Sequence, residues 1–201
     1  MSPDDQPTVR FALGDDIERV LSASSYPIHV VELHGIDLVQ VTALVRVELT
    51  RSPGGFTLPE VVLVVLAFHA GKLTGARLCP HAGPLDDAGA AAAGERVAAI
   101  VEEAGWRRVP GLGIPPDAVL VELSDPARPV DTRLIAGKWM YGDDAVLLEV
   151  DRSGSAVLPG EPPSPPISRV RMRIENAPLT KRAIAEVEGS GRNVIWRRGA
   201  P

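Results

Sequence analysis

A chain of 201 residues carrying a net charge of −5 is long enough for one sizeable core and too weakly charged for a dedicated nucleic-acid binder. It is 45% apolar but only 4% aromatic, which predicts an aliphatic core and leaves no row of rings on which bases would stack. Cys79 is the only cysteine, so no disulfide forms within the chain.

The start, Met-Ser-Pro-Asp-Asp-Gln, lacks the basic and apolar regions of a secretory signal, and residues 1–8 read as a loose leader. A short helix is expected over 15–21, with Asp15 and Asp16 at its positive end. Residues 28–33 are apolar and β-branched, hence a strand.

Residues 38–79 then read as three consecutive strands, and the first is the clearest element of the chain. Val39, Val41, Ala43, Val45, Val47 and Leu49 share one face, while Gln40, Thr42, Arg46 and Glu48 share the other. Arg51-Ser-Pro-Gly-Gly marks a loop, after which 61–68 is apolar on both faces and suits a strand covered on both sides. Gly71-Lys72 fits a two-residue hairpin turn that sets His69 opposite Thr74, and 74–79 returns. The most apolar stretch, 61–70, is too short to span a bilayer as a helix.

An amphipathic helix is predicted over 85–104, ended by Gly105, with Ala93, Val97, Ile100, Val101 and Ala104 on its packing face. Short strands are expected at 118–123, 132–136 and 145–150, forming an antiparallel meander. Pro159-Gly-Glu-Pro-Pro-Ser-Pro-Pro166 is the clearest boundary. Beyond it Arg169, Arg171 and Arg173 alternate with Val170, Met172 and Ile174, a strand with a basic face. A helix over 178–187 with Asn176 at its cap and a last strand over 193–197 follow. The expected class is α+β: a mainly antiparallel sheet, one packed amphipathic helix and a C-terminal β-α-β appendage. The divisions are a core over 1–158, a linker over 159–167 and a basic segment over 168–201 packed on the core. The sequence leaves open whether that segment joins the core sheet.

No stretch carries a diagnostic catalytic motif, and no catalytic residue is assigned. A nucleophile elbow, a dinucleotide loop and a phosphate loop are all absent from the sequence. His69, Cys79 and His81 have ligand chemistry, but His69 lies too far along the hairpin from Cys79 to share an ion, so neither metal nor cofactor is expected. The acidic pairs, Asp143-Asp144 among them, fall at helix ends, on solvated helix faces and in turns, where carboxylates are locally favoured.

Charge is uneven: residues 168–201 carry +5 and the remainder −10. Arg169, Arg171, Arg173, Arg197 and Arg198 are therefore the candidate partner-binding residues. The leading expectation is a cytoplasmic, non-enzymatic protein-binding factor of the inhibitor, immunity or adaptor type, with a protein partner or self-association and neither nucleic acid nor membrane. One alternative is a small-molecule binder or enzyme with a pocket between curved sheet and helix, furnished by His34, His69, Trp139 and Tyr141. The other is a structural subunit of a larger assembly.

Overall fold

Alternating apolar side chains make the strands of this protein, and the same alternation decides which face of each sheet is wet. The computed structural model describes residues 6–33, 36–115, 118–125, 127–129, 131–154 and 166–189. The first half runs β1 (Thr8–Phe11), α1 (Ile17–Ala23), β2 (Val30–Leu33), β3 (Ile36–Val41), β4 (Val45–Leu49), β5 (Phe56–Val61), β6 (Leu63–His69) and β7 (Lys72–Cys79). The second runs α2 (Asp87–Glu103), β8 (Arg107–Arg108), α3 (Val119–Leu123), β9 (Thr132–Tyr141), β10 (Asp144–Ser153), β11 (Ile167–Asn176) and α4 (Ala177–Gly189).

The strands form two sheets. A small one has the order β1-β4-β5, and a large one has the order β2-β3-β6-β7-β11-β10-β9-β8. Except for the parallel β1–β4 contact, the ladders are antiparallel. The class is α+β with a C-terminal β-α segment, as expected. That segment is bonded into the sheet on both sides, because β11 pairs with β7 and with β10. The Pro-rich stretch over 159–165 and the expected strand over 193–197 lie outside the described residues.

The long alternating stretch proves to be two strands in two sheets. The chain leaves the large sheet after Val41 and enters the small one at Val45, with Val39, Val41, Val45, Val47 and Leu49 all buried. A strand that crosses between packed sheets keeps one inward face throughout, so alternation reports the burial and is silent about the crossing. The expected polar face is divided accordingly: Gln40 belongs to the large sheet, Arg46 and Glu48 to the small one.

Three further readings need correction. The turn of the β6–β7 hairpin is Ala70-Gly71, with φ of +50° and +72°, not Gly71-Lys72. Two positive φ values are the type I′ geometry whose twist matches the strands. His69 therefore opposes Lys72, and Thr74 is the extra residue where the register shifts. Residues 118–123 hold the short helix α3, because Val119 and Leu123 bury together one helical turn apart. Residues 56–61, between the Arg51–Gly55 loop and the strand expected from 61, form β5, whose Pro59 is tolerated because β5 is an edge strand.

One hydrophobic cluster joins the small sheet, α2, α3 and the inner face of the large sheet. Asp86 caps α2, its side chain accepting from Gly89 N at 2.7 Å. The small residues Ala90, Ala91, Ala93, Gly94 and Ala98 let the helix lie close against β9, β10, β11 and β5. Each fully buried Val or Leu contributes about 1.5–3 kcal/mol, whereas an exposed ion pair contributes about 0–1 kcal/mol. Stability resides in this cluster. The surface charges are correspondingly free to serve another purpose.

A half-covered sheet face as candidate functional site

On the large sheet, the residues Leu66, Phe68, Ala76, Leu78, Met172 and Ile174 point inward and are buried. Their neighbours on β6, β7 and β11 point the other way by alternation. This outer face is covered only in part. α4, capped by Asn176 Oδ1 accepting from Leu179 N at 2.8 Å, packs on β6, β7 and β11. It lies over the end that carries His69, which has the parity of the outer face and is buried there.

The rest of that face forms a hollow of about 420 Å³, with Leu63 and Val65 on its floor beside Cys79, and with Arg77, Arg133, Arg169, Arg171, Arg173 and Glu149 around them. Strand register fixes which charges meet. Arg77 stands opposite Arg173, Arg171 opposite Glu149, and Arg169 opposite Asp151, which also faces Arg133. Asp151 holds two of the cations: its carboxylate accepts from Arg133 Nε at 2.9 Å and is ion-paired with Arg171, whose Nε lies 2.6 Å from Oδ2. Among the described residues, Arg77, Arg169 and Arg173 have no carboxylate within ion-pair distance. Around this hollow, five arginines against Glu149 and Asp151 leave a local balance of +3 in a chain of net charge −5. Val31 on β2 and Ile135 on β9 add exposed apolar surface at the rims, at 59% and 43% exposure.

The titratable groups near the face are not tuned for nucleophilic chemistry. Burial pushes the Cys79 thiol above its ordinary value, opposed by the smaller pull of Arg171 and Arg169. A thiol so placed stays protonated near neutrality and is a poor nucleophile. His69 Nδ1 lies 2.6 Å from Thr74 Oγ1, and burial holds its imidazole below the usual value. His81 donates from Nδ1 to Gly83 O, and burial again lowers its pKa most strongly. His69 and Cys79 sit at opposite ends of the hairpin, Cys79 pairing with Leu63 and His69 with Lys72. Among the described residues no group of three His, Cys, Asp or Glu side chains is placed to hold a metal ion.

The basic residues named from sequence divide into two sets. Arg169, Arg171 and Arg173 project together onto the outer face, whereas Arg197 and Arg198 lie outside the described residues. The pocket set is not brought together. His34 lies outside the described residues, and His69 is at the end of β6. Trp139 is 0% exposed in the core, donating from Nε1 to Glu102 Oε1 at 2.9 Å beneath the Arg108 guanidinium. Tyr141 packs against Trp106 and under Arg51. The space between the sheet and α2 is filled by apolar side chains of the core cluster.

Arg77 and Arg133 escaped the sequence reading. The alternation of 74–79 already sets Arg77 apart from Ala76 and Leu78. What sequence does not show is that β7 lies beside β11. A second hollow, at α3, is lined by Leu120, Val121, Glu122, Ser124 and Asp125, and its one lining charge near a cation, Glu122, is already paired with Arg128.

No protein family, curated protein or solved structure matches this chain. No described helix is long and apolar enough to cross a membrane.

Proposed function

We propose that this protein is a non-enzymatic binding factor of the inhibitor, immunity or adaptor kind, which docks an acidic partner protein on the outer face of its large sheet. One observation carries the reading: five arginines from three different strands converge on a single half-covered face of an otherwise acidic chain. Arginine is the charged residue most enriched at interface cores, since its planar fork pairs with carboxylates while its stem lies along apolar surface. Leu63 and Val65 supply that apolar floor, and Val31 and Ile135 extend it to both rims. A partner with carboxylates set among apolar side chains complements this pattern. Its association is steered by charge and weakens with salt.

Co-purification tests the reading. The full chain is compared with an Arg77→Glu/Arg173→Glu double variant and with Arg19→Glu, a change on exposed α1 far from the hollow. The expected result is an acidic protein retained at low salt by the native chain and by Arg19→Glu, and lost from the double variant. The same proteins retained by all three would contradict docking at this face.

A further inference from the structure

The centre of the outer face holds a row of four side chains across four strands: Val65, Arg77, Arg173 and Leu147. Directly opposed side chains on an antiparallel ladder have Cβ atoms about 5 Å apart, and like charges in that position destabilise the sheet. Here two guanidinium groups occupy it, each flanked on its far side by an apolar residue. The nearby carboxylates do not relieve them. Asp151 is engaged by Arg133 and Arg171, and Glu149 stands opposite Arg171. Glu175, two residues along β11, stands opposite Gly75 and forms no ion pair with either arginine.

We propose that Arg77 and Arg173 form a two-armed subsite for one phosphate-type dianion, the phosphoryl group of a phosphate monoester. The proposal rests on the docking reading only in taking this face as the binding surface. A single carboxylate neutralises one arginine. A phosphate dianion matches both charges and presents enough oxygens for each guanidinium fork to bond two at once. Val65 and Leu147 flank the pair, one on each outer side, and offer apolar surface along which the two arginine stems can lie. Arg169, on the same strand and facing the same hollow, lies four residues from Arg173, about 13 Å along β11. It is too far to share the group and is placed to meet a second charge on the same ligand.

Amide chemical shifts of the full chain, titrated with inorganic phosphate and then with phosphoserine in a low-salt buffer free of sulfate, test the subsite. Saturable shifts confined to β7 and β11 are expected. Arg77→Ala and Arg173→Ala each weaken binding about tenfold or more, the loss expected for one charged hydrogen-bonding arm. Arg77→Lys, which keeps the charge and spares the fold, weakens it less, and Arg19→Ala leaves it unchanged. Absent saturation, equal affinity in the alanine variants, or succinate binding as tightly as phosphate would overturn the proposal. Failure of phosphate to bind while an acidic protein still co-purifies removes the subsite and leaves docking standing. Phosphate binding without such a protein does the reverse.

Discussion

Arg77 on β7 and Arg173 on β11 face each other directly across the middle of the large sheet. A cross-strand like-charge pair costs about 0.2–1 kcal/mol. Changing either residue to glutamate converts repulsion into attraction. Arg173→Glu is expected to raise the melting temperature slightly at low salt, with the gain shrinking as salt is added. The same variant is expected to lose partner binding. Stability and binding moving in opposite directions is the signature of a charge pair kept for recognition. A fall in melting temperature at low salt would show that the two arginines are not in repulsion.

Asp144 is the most buried carboxylate among the described residues, at 6% exposure. One oxygen accepts from Asn176 Nδ2 at 2.6 Å, and the other pairs with Arg51, whose guanidinium lies 4.6 Å from the Tyr141 ring centroid. Since Asn176 also caps α4, this carboxylate ties the β9–β10 turn to the start of the helix over the outer face. Asp144→Ala strands the Arg51 charge and is expected to cost about 2–4 kcal/mol in urea denaturation. A loss below about 0.5 kcal/mol, the scale of ordinary surface changes, would mean the carboxylate is replaceable by water.

Gly137 marks a place where the sheet admits no side chain. A Cβ there would lie 2.5 Å from Trp139 Cη2 and 3.1 Å from an Arg108 guanidinium nitrogen. The register of β9 against β10 shifts beside it. Gly137→Ala displaces a buried indole and is expected to cost about 1–3 kcal/mol. Near-ultraviolet circular dichroism of the tryptophans should change with it.

His69 and His81 make stability depend on pH. Burial lowers both imidazoles, and for His81 its hydrogen bonding to the backbone of Gly83 and Val170 opposes that shift only in part. The unfolded chain titrates near the ordinary value of about 6.5, so below it the unfolded state binds more protons than the folded one. The contribution of the neutral imidazoles is therefore complete above about pH 6.5 and lost as pH falls through the folded values. Urea midpoints are expected to be flat from pH 8 to 7 and to decline towards about pH 5.5. His69→Gln should flatten part of that decline. A midpoint unchanged across the range would refute the burial of these rings.

Much of this architecture is readable from side-chain order alone, because alternation depends on local geometry. The buried set of β3 and β4, the packing face of α2, the Asn176 cap and the basic face of β11 are all of this kind. What sequence does not hold is the pairing of distant segments. Alternation continues through Ala43 while the chain changes sheets. Nothing local in 74–79 announces β11 as its neighbour, so Arg77 could not be joined to Arg173. Asp144 reads as a turn residue until Arg51, more than ninety positions away, is seen against it. Trp139 reads as a polar handle for a pocket until Glu102 is found taking its N–H. The five-residue run of α3 lies below the length at which periodicity separates helix from strand.

On the proposed reading, a partner sits on the outer face of the large sheet. The most direct test is photo-crosslinking from the rim of that face. Val31→Cys in a Cys79→Ala background places a single thiol there for a photoreactive label, and Arg19→Cys in the same background places one on α1. In lysate, position 31 should give a crosslinked acidic protein, and position 19 should not. The adduct should vanish when Arg77→Glu and Arg173→Glu are added. Equal adducts from both positions, or an adduct indifferent to the charge reversal, would contradict docking at this face.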